Sequence, residues 1–356
     1  MPAILSREIG VALDMHGCPN RCRHCCLGKA SNAHMTEDDL RWAAARFRSY
    51  VKEGETKPFI EKLEVNSAFR EPDFSDDYER LHELAAELGD VPPTRYELLS
   101  IWRMARDPEY AEWAKKIGPD TCQISFFGIG ETNDWFYRRK GAFDDCIKAT
   151  ERLLEVGMKP RWQLFLTKRI IPELGDLLRI RDRFGGEFPI FMHPPGPEGE
   201  GRRIYQLSAT LEDTKLVPAE IVEASKAHFK RDDLWTTEAE QYELRMNQEF
   251  GPVYGMPEKL WFFVLPNWDV YWNIATLEPW WRLGNLKTDP IGDIFDGLEK
   301  DRPLGYKVNR EVPQKELALR FGNPESQAVV NGVEAKWLAE WCEAEWKTTR
   351  QSCGMP

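Results

Sequence analysis

Residues 10–192 alternate short apolar runs with longer stretches in which apolar residues recur every three or four positions. The short runs predict buried β-strands, and the longer stretches predict the crossover helices that join parallel strands. Strands are predicted at 10–15, 62–66, 96–101, 121–127, 160–166 and 188–192. Helices are predicted between them at 36–51, 76–88, 107–117, 143–156 and 173–184.

The ends of these predicted helices carry the expected signals. Thr36 is followed by three acidic residues, as suits an N-cap and a first helical turn. A glycine stands just past each of the other four helices, where a left-handed backbone is favoured; these are Gly89, Gly118, Gly157 and Gly185. Six strand–helix units in succession predict an α/β fold whose parallel sheet curves into a partial barrel.

The pattern changes after residue 192. Residues 193–201 form a loop rich in proline and glycine. Helices are predicted beyond it near 218–230 and 237–250, followed by strands at 260–265 and 270–273 around a turn. We therefore expect two domains, a partial barrel over 1–205 and a smaller α+β extension over 206–356.

Three cysteines near the start of the chain carry its most specific chemistry. Cys18, Cys22 and Cys25 follow the first predicted strand with the spacing C-x3-C-x2-C. Three thiolates on one loop can hold three irons of a [4Fe–4S] cluster, which leaves the fourth iron open to a chelating molecule. The alternative is a zinc site, for which Cys26, His16 or His34 would supply the fourth ligand.

The cysteine loop resembles the signature of the radical S-adenosylmethionine (radical SAM) superfamily, with His24 at its aromatic position. The resemblance implies a (β/α)6 partial TIM barrel, a [4Fe–4S] cluster, and S-adenosyl-L-methionine chelated to the open iron. It also implies reductive cleavage of that molecule to a 5′-deoxyadenosyl radical, which abstracts a hydrogen atom from a substrate. An electron donor such as flavodoxin or ferredoxin would be the protein partner.

The same resemblance implies further cofactor-binding residues beside His24. Glu71 and Pro72 match the end of the family's Gly-Gly-Glu-Pro-like segment, although Arg70 replaces a glycine. Small polar or charged residues near the fourth and fifth strands would contact the ribose or the carboxylate of the cofactor; these are Ser125, Gln163 and Lys168. The alternatives are a helix-capping role for Glu71 and a hydrogen bond to the backbone for Ser125.

The last third of the chain resembles the SPASM/twitch extensions of radical SAM enzymes. The matching segments are 266–272, 283–286 and 291–295, but Trp272 stands where the family places a cluster cysteine. We expect a SPASM-like extension without an auxiliary cluster, and hence a redox-neutral outcome such as epimerisation, rearrangement, elimination or carbon–carbon bond formation. The free thiols that could donate a hydrogen atom are Cys122, Cys146, Cys342 and Cys353, of which Cys342 and Cys353 are the candidate catalytic residues; a buried, inert thiol is the alternative for each.

Substrate contacts are expected near the mouth of the barrel. Arg202 and Arg282 would bind a carboxylate or phosphate, and Trp280 and Trp281 would stack on a ring. Only 17 residues precede Cys18, so a peptide leader-binding domain is not expected there. The predicted substrate is a small sugar, nucleoside or amino-acid intermediate of a specialised biosynthetic pathway. The alternatives are a peptide-modifying maturase and a non-catalytic zinc- or cluster-binding module.

Composition narrows the partners and the compartment. The net charge of −11 disfavours nucleic-acid binding. No apolar stretch approaches the ~20 residues of a membrane span, and no signal-peptide pattern is present at the N-terminus. Four of the eight cysteines lie within nine residues, which disfavours a disulfide framework and predicts a cytoplasmic protein.

Overall fold

The computed structural model describes residues 6–28, 31–67, 70–95, 97–255, 257–272 and 276–352. The strands are short and mostly buried on both faces, as in a parallel sheet covered by helices. Their bounds are β1 Glu8–Leu13, β2 Lys62–Asn66, β3 Thr121–Phe126, β4 Lys159–Phe165, β5 Ile190–His193, β6 Thr236–Thr237, β7 Leu260–Val264, β8 Asp269–Trp272, β9 Gly284–Asn285 and β10 Val329–Val330.

The helices alternate with β1 to β5 and then follow one another in the C-terminal part. Their bounds are α1 Glu37–Arg48, α2 Tyr78–Leu88, α3 Ile101–Arg106, α4 Tyr110–Lys116, α5 Glu131–Tyr137, α6 Ala142–Glu155, α7 Leu174–Asp182, α8 Leu211–Thr214, α9 Ala219–Phe229, α10 Glu238–Asn247, α11 Ile291–Glu299, α12 Leu304–Glu311, α13 Gln314–Phe321 and α14 Val333–Ser352. Thr36 and Asp39 form a reciprocal capping box at the start of α1, which confirms the predicted N-cap.

The parallel strands belong to two sheets, one of which also contains the antiparallel strands β8 and β9. One has the order β3-β4-β5, and the other has the order β2-β1-β7-β8-β9. Strand β7 pairs in parallel with β1, with Gly10 opposite Trp261. A Cβ atom on Gly10 would lie 2.4 Å from the Trp261 ring, so a side chain at that position would block this pairing. The hairpin of β7 and β8 is therefore continuous with the sheet that carries β1.

The predicted third strand is replaced by a turn into a helix. Tyr96 lies outside the described residues, and residues 97–100 form no regular strand, although the Gln123 amide donates to the Glu97 carbonyl at 2.7 Å. The Ser100 hydroxyl accepts from the Arg103 amide at 3.1 Å and caps α3. Because this cap starts a helix at Ile101, the apolar run over 96–101 is not extended throughout.

The buried side chains of the described residues form two hydrophobic clusters. One contains the buried residues of β1, β2 and β7 together with α11 to α14, and the other contains those of β3, β4 and β5. Residues at or after the carboxyl ends of β1, β2 and β5, together with residues of β3, line one cavity, as expected where ligands bind in such sheets. None of the described helices combines the length and the apolar character that a membrane crossing requires.

Candidate cofactor site

The cysteine loop lies at the carboxyl end of β1 and is attached to the end of α5. The Arg23 amide donates to the Phe136 carbonyl at 2.7 Å, and the Arg21 amide donates to the Tyr137 carbonyl at 3.3 Å. Cys18, Cys22 and Cys25 all line a cavity of about 680 Å³. This volume lies within the ~300–1,000 Å³ usual for small-molecule sites. The predicted metal-binding loop therefore faces a space large enough for a cofactor.

The three thiols fit a cluster better than any other role visible in their surroundings. Burial raises the pKa of Cys18, Cys22 and Cys25, so their thiolates need a cation to accept the charge. The Asn20 amide lies 3.4 Å from the Cys18 sulfur. It can therefore donate a hydrogen bond to that sulfur when the thiolate binds a metal.

The zinc alternative has no preformed set of ligands in the described part of the chain. There, no three His, Cys, Asp or Glu side chains are grouped closely enough to hold one metal ion, and this includes the three loop cysteines. Two proposed fourth ligands, His16 and His34, contact each other, with their Nδ1 atoms 2.7 Å apart.

His24 packs beneath the loop among aromatic rings. Its ring lies 4.1 Å from that of Phe127 and 5.2 Å from that of Phe165. Burial lowers the pKa of His24 to about 3, so the imidazole is neutral. Its Nδ1 atom has no hydrogen-bond partner and the residue lines the cavity, which leaves a polar edge available to a cofactor.

Glu71 is held in the same cavity, opposite the cysteines. Its Oε1 accepts from the Ser100 hydroxyl at 2.7 Å, and its Oε2 lies 3.9 Å from the Cys18 sulfur. Burial raises the pKa of Glu71 to about 7. A buried carboxylate with one oxygen toward the cluster loop is suited to accept a hydrogen bond from an ammonium group. The structure thus places Glu71 at the cavity rather than merely at a helix end.

Arg70 joins three parts of the site in a buried ion pair. Its Nε donates to Asp14 Oδ2 at 2.6 Å, and a terminal nitrogen donates to the Gly28 carbonyl at 3.1 Å. Both charged side chains are at most 4% exposed. Arg70 thereby ties the segment before Glu71 to the end of β1 and to the far end of the cysteine loop. This gives a structural reason for arginine where the family resemblance has glycine.

We expect Arg70→Met to destabilise the protein strongly. The change leaves the Asp14 carboxylate buried without its cation, a loss that typically costs about 3–5 kcal/mol. The double variant Arg70→Met/Asp14→Leu should recover most of that loss, because it removes both charges. Urea unfolding followed by circular dichroism measures both; equal stability of the single variant and the parent chain would contradict this account of the pair.

Ser125 and Gln163 lie in a polar row across the inner faces of β3, β4 and β5. The Ser125 hydroxyl donates to Gln163 Oε1 at 3.1 Å, and Gln123 Nε2 donates to the same oxygen at 2.7 Å. Gln163 also contacts His193. Ser125 and Gln123 line the cavity, with Gln163 behind them. Ser125 is therefore bonded to a side chain rather than to backbone, the alternative raised from the sequence.

Lys168 is not brought to this site. It follows the end of β4, is exposed, and donates its backbone amide to the Leu207 carbonyl at 2.9 Å. It does not line the cavity that contains the cysteines. The sequence prediction of a cofactor contact at Lys168 therefore finds no support in the geometry, because the strand has already ended and the chain has turned outward.

The glycine-rich loop after β5 closes against the cysteine loop. The Glu200 amide donates to the Cys25 carbonyl at 3.0 Å. Gly199 has a φ of +53°, and a Cβ atom there would lie 2.3 Å from the Cys26 carbonyl oxygen and 2.7 Å from that of Cys25. Only glycine fits this close approach, so residues 199–201 support the backbone of the metal-binding loop.

Gly199→Ala should loosen the cysteine loop. The variant combines a left-handed backbone with a clash against backbone oxygens, and we expect a loss of about 1–3 kcal/mol in unfolding free energy with faster loss of bound iron. Gly196→Ala is the matched control, because an added Cβ there meets nothing within 4 Å. Similar iron retention in the two variants would show that the close approach is unimportant.

The predicted substrate residues occupy three different environments. Arg202 lines a second cavity of about 520 Å³, but Glu278 and Glu343 already pair with it. Trp280 is buried, and the Arg202 guanidinium carbon lies 6.0 Å from the centre of its ring. Trp281 packs in the core against Tyr306, at 5.2 Å between ring centres, rather than lining either cavity.

The remaining candidates among the described residues also lie outside the two cavities. Arg282 pairs with Asp269 on the hairpin, with its Nε 2.6 Å from the carboxylate. Cys342 is fully buried on α14, and burial raises the pKa of its thiol to about 12. Cys353 lies outside the described residues. The geometry therefore gives neither Arg282 nor Cys342 a place in the two cavities.

Several cavity residues were not predicted from the sequence. Tyr137 and Arg138 come from α5, which was not expected, and Glu200 comes from the glycine-rich loop. Ser100 was assigned to a strand, whereas its hydroxyl bonds Glu71. A signal was present for α5, since Gly128-Ile129-Gly130 is a turn that leads directly into it.

Comparison with known proteins places these features in a wider group. No family model matches the chain. A stretch of 75 residues, 20% of the chain, is 37% identical to Fe-coproporphyrin III synthase of Methanosarcina barkeri (strain Fusaro / DSM 804) and spans 19% of that protein.

Solved structures resemble nearly the whole chain. The structure of anSMEcpe with bound AdoMet has a TM-score of 0.52 at 14% identity, covering 97% of this chain and 100% of that one. Its form with AdoMet and a peptide has a TM-score of 0.51 at 15% identity, covering 97% and 99%. The chain thus has the fold of these AdoMet-bound structures, which confirms the predicted α/β partial barrel with a C-terminal extension.

Proposed function

We propose that this chain is a radical SAM enzyme in which Cys18, Cys22 and Cys25 hold a [4Fe–4S] cluster and the adjoining cavity binds S-adenosyl-L-methionine. The observation that carries the proposal is the convergence of these three buried thiols and Glu71 on one cavity at the end of β1. The bound cluster and cofactor supply a 5′-deoxyadenosyl radical for hydrogen-atom abstraction. A thiolate-bound cluster suits the reducing conditions of the cytoplasm.

The protein groups around the cavity have separate tasks in this proposal. Glu71 accepts a hydrogen bond from the methionyl ammonium, since its Oε2 lies on the side of Cys18. Ser125 faces the ribose hydroxyls, supported from behind by Gln163. His24 offers a neutral ring at the cavity wall. These side chains orient the cofactor and hold it against the loop.

The second cavity is the proposed place for the substrate. It shares Leu27, Gly28 and Glu200 with the cofactor cavity, so a molecule bound there lies beside the cofactor. Its volume of about 520 Å³ suits a small molecule. Its wall contains several carboxylates as well as Arg202. This mixture of charged groups favours a polar substrate such as a sugar, nucleoside or amino-acid derivative.

A peptide-modifying activity is the second candidate. The observation that favours it is the peptide bound in one of the anSMEcpe structures that share the fold. A peptide would present one side chain to the same cavity while the rest of it stays outside. Crosslinking or co-crystallisation of the protein with a peptide, and in parallel with a small polar molecule, would show which of the two occupies the cavity and so separate the two candidates.

We propose a redox-neutral outcome because Trp272 stands where an auxiliary-cluster cysteine is expected in the extension. Trp272 is buried there and lies 5.6 Å from Tyr306 between ring centres. The chain has no cysteine between Cys146 and Cys342. A substrate radical would therefore have no second cluster in this region to take up an electron.

Anaerobic reconstitution tests the cluster assignment. The purified protein, supplied with iron and sulfide, should become brown and bind about four irons and four sulfides per chain. A colourless protein that retains one tightly bound zinc would support the binding-module alternative instead.

A further inference from the structure

Three arginines cluster beside the cysteine loop on a protein whose net charge is −11. The guanidinium groups of Arg23 and Arg169 lie over the ring of Trp135, at 4.0 Å and 3.9 Å from its centre. Arg138 is the C-cap of α5, three residues after Trp135, on the same side of the cysteine loop as Glu200, with which it pairs. We call Arg23, Arg138, Arg169 and Trp135 the arginine patch.

Few carboxylates of the protein itself neutralise the positive charge of the arginine patch. Among the described ion pairs, neither Arg23 nor Arg169 has a carboxylate within 4 Å, and Arg138 has only Glu200, at 3.5 Å. Like charges held together without counterions raise the free energy of the isolated protein. Arg169 is exposed, and Trp135 is partly exposed, so the patch presents cations and an aromatic ring to solvent.

The patch is also anchored to the metal-binding loop. Arg23 directly follows Cys22 in the chain, and its amide is bonded to the Phe136 carbonyl in α5. Its Nε donates to the Trp135 carbonyl at 3.0 Å. A molecule resting on Trp135 and Arg169 would therefore lie within a few residues of a cluster ligand, on a rigid backbone.

We propose that the arginine patch is the docking surface for a small acidic one-electron carrier protein that reduces the cluster. This inference rests on the proposed radical SAM function. Charge complementarity favours the assignment, because an acidic carrier supplies the carboxylates that the patch lacks. In the step itself, the carrier loses one electron and the cluster gains it; no bond forms or breaks and no proton moves.

Reversing one charge in the patch tests the proposal. In reconstituted Arg169→Glu, we expect the rate of cluster reduction by reduced flavodoxin to fall about tenfold at low ionic strength. The difference should vanish at high salt, and Arg169→Gln should show a smaller loss. Cluster reduction by dithionite should be unchanged, because this small reductant needs no protein docking surface. Arg179→Glu, which alters an exposed arginine on α7, is the matched control.

The possible results separate the docking surface from the proposed function. Equal rates with flavodoxin for the parent protein and Arg169→Glu would overturn the docking proposal, as would an equal loss in Arg179→Glu or a loss with dithionite too. If poly-glutamate binds the patch while Arg169→Glu leaves the rate of cluster reduction by flavodoxin unchanged, the patch is a site for anionic peptides instead. That result would also overturn the docking proposal. A parent protein with no reducible cluster would overturn the proposed function itself.

Discussion

Replacing Cys22 with alanine should abolish the cluster. With two thiolates left on the loop, the ligand set no longer suffices for three irons, and bound iron should fall from about four per chain to well below one. Formation of 5′-deoxyadenosine should fall to background with it. Anaerobic reconstitution followed by iron analysis and electron paramagnetic resonance of the reduced protein measures the change.

Cys122→Ala is the control for this prediction. Cys122 is fully buried on β3, with its sulfur 3.9 Å from the Gln123 carbonyl, and it does not line the cofactor cavity. We expect that variant to retain the full cluster. If Cys22→Ala also retains four irons per chain, the assignment of the ligands is wrong.

Replacing Glu71 with glutamine should separate cofactor binding from cluster binding. Removal of the carboxylate weakens a charge-assisted hydrogen bond to the methionyl ammonium, which is worth about 1.5–3 kcal/mol, or roughly tenfold to a hundredfold in affinity. The iron content should stay at the parent level, because Glu71 is not a proposed ligand. Anaerobic calorimetric titration of the reconstituted protein with S-adenosyl-L-methionine measures the affinity.

Glu64→Gln is the matched control for a buried carboxylate. Glu64 lies on β2 near Glu71, pairs with Lys259, and does not line the cavity. That variant should lose stability but keep its affinity for the cofactor. An unchanged affinity in Glu71→Gln, or an equal loss in both variants, would remove Glu71 from the proposed site.

The sequence predicts the strands well where local pattern is decisive. Strand β2 has the predicted bounds, and β1, β3, β4 and β5 differ from prediction by at most two residues at either end. Each of these runs is apolar, short and followed by polar residues, so periodicity alone identifies them. The cysteine loop and Glu71 were likewise accessible, since they belong to a spaced motif.

Features that depend on contacts between distant segments were not accessible in this way. The pairing of β7 with β1 is a matter of register between residues 250 positions apart, which a single strand pattern does not encode. A second difference has a local cause. The apolar run before Ile101 was predicted as a strand, but the Ser100 side chain makes a capping hydrogen bond that competes with extended structure.

The substrate predictions show the same limit. Arg202 and Trp280 lie at or near the second cavity, but Glu278 and Glu343 neutralise Arg202 from other parts of the chain. Trp281 packs into the core because Gly305 allows close contact with its ring, where a Cβ atom would lie 2.3 Å away. Residue type identified groups able to bind a substrate; tertiary packing decided which of them are available.

Detection of 5′-deoxyadenosine tests the central claim most directly. Reconstituted protein incubated anaerobically with dithionite and S-adenosyl-L-methionine should produce it, and Cys22→Ala should not; liquid chromatography with mass spectrometry quantifies the product. The predicted result is that the parent protein forms 5′-deoxyadenosine and the Cys22→Ala variant does not. A protein with a full, reducible cluster and bound cofactor that yields none would contradict it.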